Sequence, residues 1–388
     1  MKKFDVVILG CGASGTMCAL SIKNRNVAII DCATKPAKKL LVTGNGRCNL
    51  TNTNFLCKEK NVAIYNQNLQ KFFERFDQKQ TLQFFENLGL ECFADEEGRV
   101  YPISNTAKSV VDVLTRKLEQ SAQLFMGQTV EGIEKNGNTF FIKTDKDTYS
   151  CEKLVVATGG NTMVNTLKNL GVEVSEFTPS LVALKSKDIK DLNGIKISNV
   201  KGTATNNNGQ SATEVGEVLF KDGGISGIVI FNLSTLFSRT KDFKGKIEID
   251  LLPNMTHKQL SDKLSARKNL NVNMDKFFVG MFQNALANEI FRQAKFNTNI
   301  NSNKLTSTQI EVLTKTIKSL QFSVYDCFDN NQVFSGGVKL QNLTENLMSK
   351  KINNLYFTGE ICDVDAVCGG YNLQWAWTSG HIVGESLW

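Results

Sequence analysis

The first thirty-one residues constrain the fold more than any other stretch of the chain. A run of branched apolar residues, 4–9, precedes the segment Gly10-Cys-Gly12-Ala-Ser-Gly15, and an apolar stretch then leads to a second apolar run that ends at Asp31. This order predicts a strand, a glycine turn, a helix, a second strand and an acid. Gly10 permits the tight turn, Gly12 lets the backbone approach a diphosphate, and Gly15 lets the helix pack closely on the sheet. The helix N-terminus attracts phosphate and Asp31 lies where an acid can bind a ribose, so the stretch predicts a dinucleotide site.

A second distinctive stretch, 38–52, is dense in glycine, amide, hydroxyl and cationic side chains. Its segment Gly44-Asn-Gly46-Arg47-Cys48-Asn predicts a loop that wraps around an anionic ligand, with Arg47 as a fork for phosphate. The alternative is an ordinary surface loop. Cys48, next to Arg47, is a candidate for a reactive thiol with a lowered pKa, but a structural thiol is the interpretation we favour.

Two further apolar strands run into glycines. The first, 153–157, is followed by Gly159 and Gly160, and the second, 354–357, is followed by Gly359. Glycine at the carboxyl end of a buried strand lets the backbone touch a ligand at that edge of the sheet. We therefore expect both segments to border the dinucleotide site.

Two helix starts can be placed from local patterns. Asp77 and Gln80 have the spacing of a capping box, which predicts a helix that begins at this point. Asn372 follows Gly369 and Gly370 and is a candidate cap for the terminal helix. The N-terminus of that helix is a second end that can bind an anion or a carbonyl group.

The middle of the chain has a different character. Residues 178–253 are rich in valine, isoleucine, threonine and glycine, which predicts a mostly β domain. Residues 256–319 read as helical, and apolar residues within 260–264, 277–282 and 310–317 predict three helices.

Composition limits the class of protein. The 388 residues are 41% hydrophobic, enough for two or three domains with sizeable cores. The net charge of +7 is mild for this length and favours anionic ligands over a dedicated nucleic-acid surface. Ten cysteines without a CxxC pair, together with only two histidines, do not predict a metal site. With an apolar N-terminal run too short for a signal core and no apolar stretch that could span a membrane, we predict a cytoplasmic protein.

Taken together, these motifs resemble the BaiN/YhiN group of FAD-dependent oxidoreductases, which is also called aminoacetone oxidase-like. The stretches that carry the resemblance are Gly10-x-Gly-x-Ser-Gly15, Lys38-Lys-Leu-Leu-x-x-Gly-x-Gly-Arg-Cys-Asn-x-Thr-Asn52, Ala157-Thr-Gly-Gly160, Leu355-Tyr-Phe-x-Gly-Glu-x-x-Asp-Val-Asp365 and Gly369-Gly-Tyr-Asn-Leu-Gln-Trp-Ala-Trp377. One departure is Ala366, where the group commonly has glycine.

The resemblance implies an α/β fold with several parts. These are a discontinuous glutathione-reductase-type FAD-binding Rossmann domain, an inserted β-barrel-like domain and a small helical insert. The corresponding boundaries are 1–185 and 322–388 for the FAD-binding domain, 186–254 for the barrel-like domain, and 255–321 for the helical insert.

The resemblance also implies how FAD is held. The glycine turn is expected at the diphosphate, Asp31 at the adenosine ribose, Val130 at the adenine, and Asn372 with Leu373 at the pyrimidine end of the flavin. The residues implied to bind FAD are Gly10, Gly12, Ala13, Ser14, Gly15, Asp31, Lys39, Asn45, Gly46, Arg47, Cys48, Asn49, Val130, Thr158, Gly159, Gly160, Gly359, Glu360, Asn372 and Leu373.

The function implied is a flavin oxidoreductase that passes hydride from NAD(P)H through FAD to a small conjugated carbonyl compound. Such a reaction needs a proton donor, and the candidates by residue type are Arg47, Cys48, Tyr101 and Tyr371. Since there is no second G-x-G-x-x-G motif, we expect NAD(P)H to visit the flavin without a domain of its own. The alternatives are a flavoprotein that modifies or binds tRNA and a non-catalytic flavin-binding module.

Overall fold

The computed structural model describes residues 1–54, 65–189, 191–329 and 333–388. The strands are β1 Lys2–Leu9, β2 Val27–Asp31, β3 Thr51–Asn52, β4 Cys92–Ala94, β5 Arg99–Pro102, β6 Gln123–Met126, β7 Val130–Asn136, β8 Thr139–Thr144, β9 Thr148–Val156, β10 Thr178–Ser180, β11 Leu184–Ser186, β12 Lys196–Asn206, β13 Ser211–Lys221, β14 Gly224–Ser226, β15 Gly245–Asp250, β16 Leu320–Cys327, β17 Val333–Ser335 and β18 Leu355–Phe357. The helices are α1 Ala13–Ser21, α2 Gln70–Phe73, α3 Gln78–Asn87, α4 Ala107–Ser121, α5 Val164–Asn169, α6 Ile228–Thr240, α7 His257–Ala266, α8 Asn284–Gln293, α9 Ser307–Lys318 and α10 Tyr371–Ser386.

The chain forms two compact units. The first consists of Met1–Phe177 and Phe334–Trp388, and the second is Thr178–Val333. The predicted boundaries between an FAD-binding domain, a barrel and a helical insert stay predictions.

The first unit is built on a sheet with the strand order β6-β2-β1-β9-β8-β7, in which β18 also pairs with β9. Strands β6, β2, β1, β9 and β18 are joined by parallel pairings, whereas β8 pairs antiparallel with both β9 and β7. Ile8 of β1 lies opposite Ile29 and Val155. These side chains are fully buried, as is typical of a parallel sheet that is covered on both faces. The arrangement confirms the predicted Rossmann-type α/β fold.

Helices α1 and α10 bring the two ends of the chain together in this unit. A Cβ atom on Gly380 would lie 2.4 Å from the carbonyl oxygen of Ser14, and one on Gly384 would lie 2.4 Å from that of Cys18. Only glycine at these two positions, one helical turn apart, allows the helix backbones to approach this closely. The terminal helix is thereby held against the helix that follows the glycine turn.

The second unit contains a closed six-stranded barrel in the order β11-β14-β13-β12-β15-β16. Helix α6 packs on it, and a Cβ on Gly202 of β12 would lie 2.5 Å from Val229 of that helix. The barrel strands lie within 184–327, and the resemblance implied a barrel-like domain at 186–254. The last strand is separated from the others by α7, α8 and α9, so its pairing with β15 has no local signature.

Two helix predictions had different outcomes. The capping box is confirmed, since an Asp77 side-chain oxygen accepts from the Gln80 N–H (3.0 Å) and Gln80 Oε1 accepts from the Asp77 N–H (2.9 Å). The helix predicted within 277–282 is wrong, because these residues form turns and Gly280 has φ +81°. Phe277 and Phe278 are buried all the same, so their spacing imitated a helix while a turn delivers the side chains to the core.

His381 is a partly buried titratable side chain at the contact between α1 and α10. Its ring stacks on Phe76 at 4.1 Å, and Nδ1 lies 3.1 Å from Ser21 Oγ. Burial lowers the pKa of His381 below its ordinary value near 6.5, with a smaller opposing effect from Glu385. The unfolded chain therefore protonates His381 more readily than the folded protein does. The contribution of neutral His381 to the free energy of unfolding is complete above pH 6.5 and is lost as the pH falls below this value.

We expect the free energy of unfolding to decrease from pH 7.5 to pH 5.5 more in the wild type than in His381→Phe, which keeps the stack on Phe76. Denaturant unfolding at both pH values measures this difference. Equal pH dependence of the two proteins would show that His381 does not couple folding to protonation.

Candidate functional site

The glycine turn after β1 is shaped by three close approaches. The Gly10 N–H donates to the carbonyl of Ile30 (2.8 Å), and Gly10 has φ +103°. A Cβ on Gly10 would lie 2.4 Å from the carbonyl oxygen of Ala157, and one on Gly15 would lie 2.0 Å from that of Gly10. Both positions therefore require glycine, as the sequence predicted.

Open space lies in front of α1. Gly12 is its N-cap, no side chain of the described residues caps it, and the first intrahelical bond runs from Thr16 N–H to the Gly12 carbonyl (3.0 Å). A Cβ on Gly12 would meet nothing within 4 Å. The N–H groups of the first turn, those of Ala13, Ser14 and Gly15, have no intrahelical acceptor and lie at this opening, where a diphosphate would fit.

Asp31 is anchored beside this opening. Its Oδ2 accepts from the Cys11 N–H and its Oδ1 accepts from the Ala33 N–H, both at 2.6 Å. The carboxylate, which is partly exposed, thus braces the glycine turn against the end of β2. Val130, predicted at the adenine, begins β7 close to this edge, since the Gln128 N–H donates to the Asp31 carbonyl (3.0 Å). The roles of Asp31 and Val130 toward a bound cofactor stay predictions.

The second predicted stretch forms a 3₁₀-helix, Lys38–Gly46, with a sharp internal change of direction. Gly44 and Asn45 have φ values of +55° and +59°, and Cys48 has φ +60°. Asparagine tolerates this region, whereas Cys48 is held in it against its intrinsic preference. The left-handed residues turn the chain repeatedly and leave Asn45 and Gly46 exposed.

Arg47 and Cys48 point to different environments. The Arg47 guanidinium stacks on the Tyr101 ring at 4.3 Å, and Nη2 lies 3.4 Å from the Tyr101 hydroxyl. No carboxylate among the described residues pairs with Arg47. Cys48 is fully buried, and this burial raises the pKa of its thiol to about 12. These are the features of a structural thiol, and they do not favour Cys48 as a proton donor in the reaction.

The segment after β18 closes the opposite side of the site. A Cβ on Gly359, which has φ +77°, would lie 2.4 Å from Ser14 Oγ. Glu360 forms an ion pair with Lys39 (3.1 Å), and a Cβ on Gly159 would lie 3.3 Å from Glu360 Oε2. The structure thus brings the glycine turn, Gly159, Gly359, Glu360 and Lys39 together from four distant parts of the sequence.

Two residues after β9, Thr158 and Gly160, face the protein interior more than the sequence predicted. A Cβ on Gly160 would lie 2.5 Å from the Phe334 ring, so the absence of a side chain at Gly160 leaves the space that the Phe334 ring occupies. The hydroxyl of Thr158 is buried and has no hydrogen-bond partner among the described residues.

The first turn of α10 lies against the loop that ends at Asn52. A Cβ on Gly370 would be 2.5 Å from the Thr51 carbonyl oxygen and 2.9 Å from Asn49 Oδ1. No side chain of the described residues caps this helix, so Asn372 is not the predicted cap. The Asn372 amide instead accepts from the Ala366 N–H and donates to the Ala366 carbonyl, both at 3.0 Å.

These two hydrogen bonds with Ala366 use the side-chain amide of Asn372 within the protein. Its backbone N–H and that of Leu373 remain at the uncapped helix start, where a carbonyl group could bind. The Tyr371 carbonyl accepts from the Tyr65 hydroxyl (2.7 Å), which fixes the start of the helix.

Sequence reasoning assigned no role to three residues that hold the site, namely Trp375, Trp377 and Ser379. Ser379 accepts from the Gly359 N–H (2.9 Å), and the indole N–H of Trp375 donates to the Gly359 carbonyl (3.1 Å). Trp377 likewise donates to the Leu50 carbonyl (2.9 Å). The sequence signal that could have identified these residues is the presence of hydrogen-bonding side chains within an otherwise apolar terminal helix.

The site fits a flavin dinucleotide on two structural observations. One is the open N-terminus of α1 beside Asp31, and the other is the N-terminus of α10; no side chain of the described residues caps either helix. The fold and this site define an oxidoreductase with a Rossmann-type FAD-binding fold. Residues 4–386 match the family model described as HI0933-like protein Rossmann domain, and the chain belongs to this family. The predicted resemblance to BaiN/YhiN-type flavoproteins is thereby confirmed.

Two curated relatives align along nearly their full lengths. The 3-dehydro-bile acid delta(4,6)-reductase of Clostridium scindens is 30% identical over 98% of this chain and 98% of its own. The ribosomal RNA dihydrouridine synthase of Escherichia coli is 27% identical over 100% of this chain and 98% of its own. A solved structure, the 3-ketosteroid delta1-dehydrogenase from Sterolibacterium denitrificans, is 11% identical over 100% of this chain and 99% of its own, with a TM-score of 0.48.

Within the described residues, no helix is long and apolar enough to cross a membrane. The cytoplasmic location stays a prediction.

Proposed function

We propose that this flavoprotein uses NAD(P)H to reduce a carbon–carbon double bond conjugated with a carbonyl group in a small molecule. The observation that carries the proposal is the end-to-end similarity to a reductase of a 3-dehydro-bile acid, in a chain that keeps the complete glycine-turn site. When bound, FAD supplies the hydride chemistry. The protein must hold the substrate, exclude water and supply charge and a proton.

Reduction of a conjugated double bond needs two contributions from side chains. Hydride addition to one carbon moves negative charge toward the carbonyl oxygen, and a cation or hydrogen-bond donor stabilises that charge. Arg47 is suited to this role because it is fixed by Tyr101 and carries a charge that no carboxylate of the described chain neutralises. The second carbon then needs a proton, and Tyr371 is the better placed candidate, since Cys48 and Tyr101 are buried.

The direct experiment is anaerobic reduction of the FAD-loaded protein by NADH and by NADPH, followed by reoxidation with a panel of conjugated ketones. A 3-oxo-4,6-diene bile acid, a simple cyclic enone and its saturated ketone form the core of the panel. Reoxidation by the two unsaturated compounds and not by the saturated ketone is expected. A flavin that neither nicotinamide reduces, or that only oxygen reoxidises, would contradict the proposal.

Arg47→Gln is expected to lower kcat/KM for the enone about 100-fold, because a fixed charge at the developing oxyanion is lost. The matched control is Arg99→Gln in β5, where Arg99 already pairs with Asp95 and Glu97. We expect the control to retain activity within a factor of about 3, because the charge of Arg99 is already compensated by Asp95. An equal loss of kcat/KM in both variants would show that Arg47 has no specific role in the reaction.

A second candidate function is reduction of uridine in ribosomal RNA. It is favoured by the full-length similarity to the Escherichia coli dihydrouridine synthase. The uracil double bond is also conjugated with a carbonyl, so the same site chemistry applies. Incubation of ribosomal RNA from cells lacking that synthase, followed by mass spectrometry, would reveal a uridine that gains two hydrogens. This result without turnover of the free enones would make RNA the substrate.

A further inference from the structure

Gln374 is a polar residue in the interior of the first unit. It lies at the end of the first turn of α10 and is fully buried, as are Thr51, Thr81 and Thr378 around it. An amide with this degree of burial is destabilising unless each of its polar groups finds a partner. The functional assignment above gives Gln374 no role.

The four buried side chains form a complete hydrogen-bond network. Gln374 Oε1 accepts from the Thr51 hydroxyl (2.6 Å), and Gln374 Nε2 donates to the hydroxyls of Thr81 (2.9 Å) and Thr378 (3.0 Å). The Thr81 hydroxyl donates in turn to the Asp77 carbonyl (2.9 Å). The Thr378 hydroxyl donates to the carbonyl of Phe76 (2.8 Å). Each hydroxyl proton and both amide N–H groups are used, so the direction of each bond is fixed.

The network joins the loop that ends at Asn52 to α10, next to the bond that Trp377 donates to the Leu50 carbonyl. Thr51 ends the loop that carries Arg47, Cys48 and Asn49, and Gln374 lies one turn from the uncapped start of α10. The contact of Gly370 with the Thr51 carbonyl lies at the same junction. Apolar packing alone is non-directional, whereas saturated buried networks select one arrangement.

We propose that Gln374 is a positioning residue that holds the Arg47–Asn49 loop in register with the N-terminal turn of α10. Its effect on the cofactor rests on the proposed function, since both segments are assigned to the flavin. Its effect on the loop does not depend on that assignment. The two consequences can therefore be measured separately.

The test uses Thr51→Val, which keeps the shape of the side chain but removes the donor to Gln374, and Thr51→Ser, which restores it. Ser234→Ala in the second unit is the matched control, because Ser234 Oγ accepts from the buried Val182 N–H (3.0 Å). Hydrogen exchange of 43–52 is measured by mass spectrometry in the full-length, cofactor-free proteins. We expect exchange there to be about tenfold faster in Thr51→Val and close to wild type in Thr51→Ser and Ser234→Ala.

In the FAD-loaded proteins, Thr51→Val is expected to shift the visible flavin band and to weaken FAD binding about tenfold. Ser234→Ala should lower the melting temperature without moving the band. Unchanged exchange in Thr51→Val, or equally fast exchange in Thr51→Ser, would overturn the positioning role. A wild-type protein that binds no FAD would instead refute the proposed function, and the exchange data would still decide the role of Gln374.

Discussion

Gly15→Ala is expected to lower the free energy of unfolding by about 1–3 kcal/mol, the range for a forced overlap in a packed interior. The new Cβ would lie 2.0 Å from the Gly10 carbonyl oxygen and 3.1 Å from the Ala157 side chain. Neither neighbour can move easily, since Gly10 is hydrogen-bonded to Ile30 and Ala157 follows directly on β9. Denaturant unfolding of the cofactor-free protein measures the loss.

Gly12→Ala is the matched control for that variant because it adds the same methyl group three residues earlier. Gly12 has φ −81°, and its Cβ would meet nothing within 4 Å. We expect a stability change below about 0.5 kcal/mol. The methyl group would nevertheless stand at the opening in front of α1, so the dissociation constant for FAD should rise at least about tenfold. Tight FAD binding by Gly12→Ala would place the diphosphate elsewhere.

The contrast between these two glycines shows what can be predicted from sequence. The spacing of Gly10, Gly12 and Gly15 after an apolar run predicts the turn, because strand, turn and helix are contiguous and each is locally encoded. The capping box at Asp77 was predictable for the same reason. In both cases the interacting groups lie within a few residues of each other.

The features that sequence reasoning missed depend on long-range pairing. Strand β16 pairs with β15 although α7, α8 and α9 lie between the two strands in the sequence, so no local pattern predicts this partner. Asn372 has the residue type of a helix cap, but its amide binds Ala366, whose position depends on the preceding turn. A sequence pattern identifies a side chain that can form a hydrogen bond but not the partner it will meet.

The terminal helix depends on such partners, and Trp375 is the residue where the largest loss is expected. Trp375 is 1% exposed, its ring packs edge-to-face on Phe72 at 5.5 Å, and its indole N–H binds the Gly359 carbonyl. Trp375→Ala should lower the free energy of unfolding by about 3–5 kcal/mol, through the cavity and the lost aromatic contacts.

Trp375→Phe separates the hydrogen bond from the packing. Phenylalanine keeps much of the ring contact but leaves the buried Gly359 carbonyl without this donor, which should cost about 1–3 kcal/mol. The control is Trp388→Phe, which removes the same kind of bond, from an indole N–H to the Ser21 carbonyl, at a side chain that is 50% exposed. Water can replace the lost donor there, so the control should change stability by less than about 0.5 kcal/mol.

Because Gly359 borders Ser14 in the site, Trp375→Phe should also weaken FAD binding, and Trp388→Phe should not. If both variants lost stability and FAD affinity equally, the terminal helix would act through general packing and not by fixing Gly359.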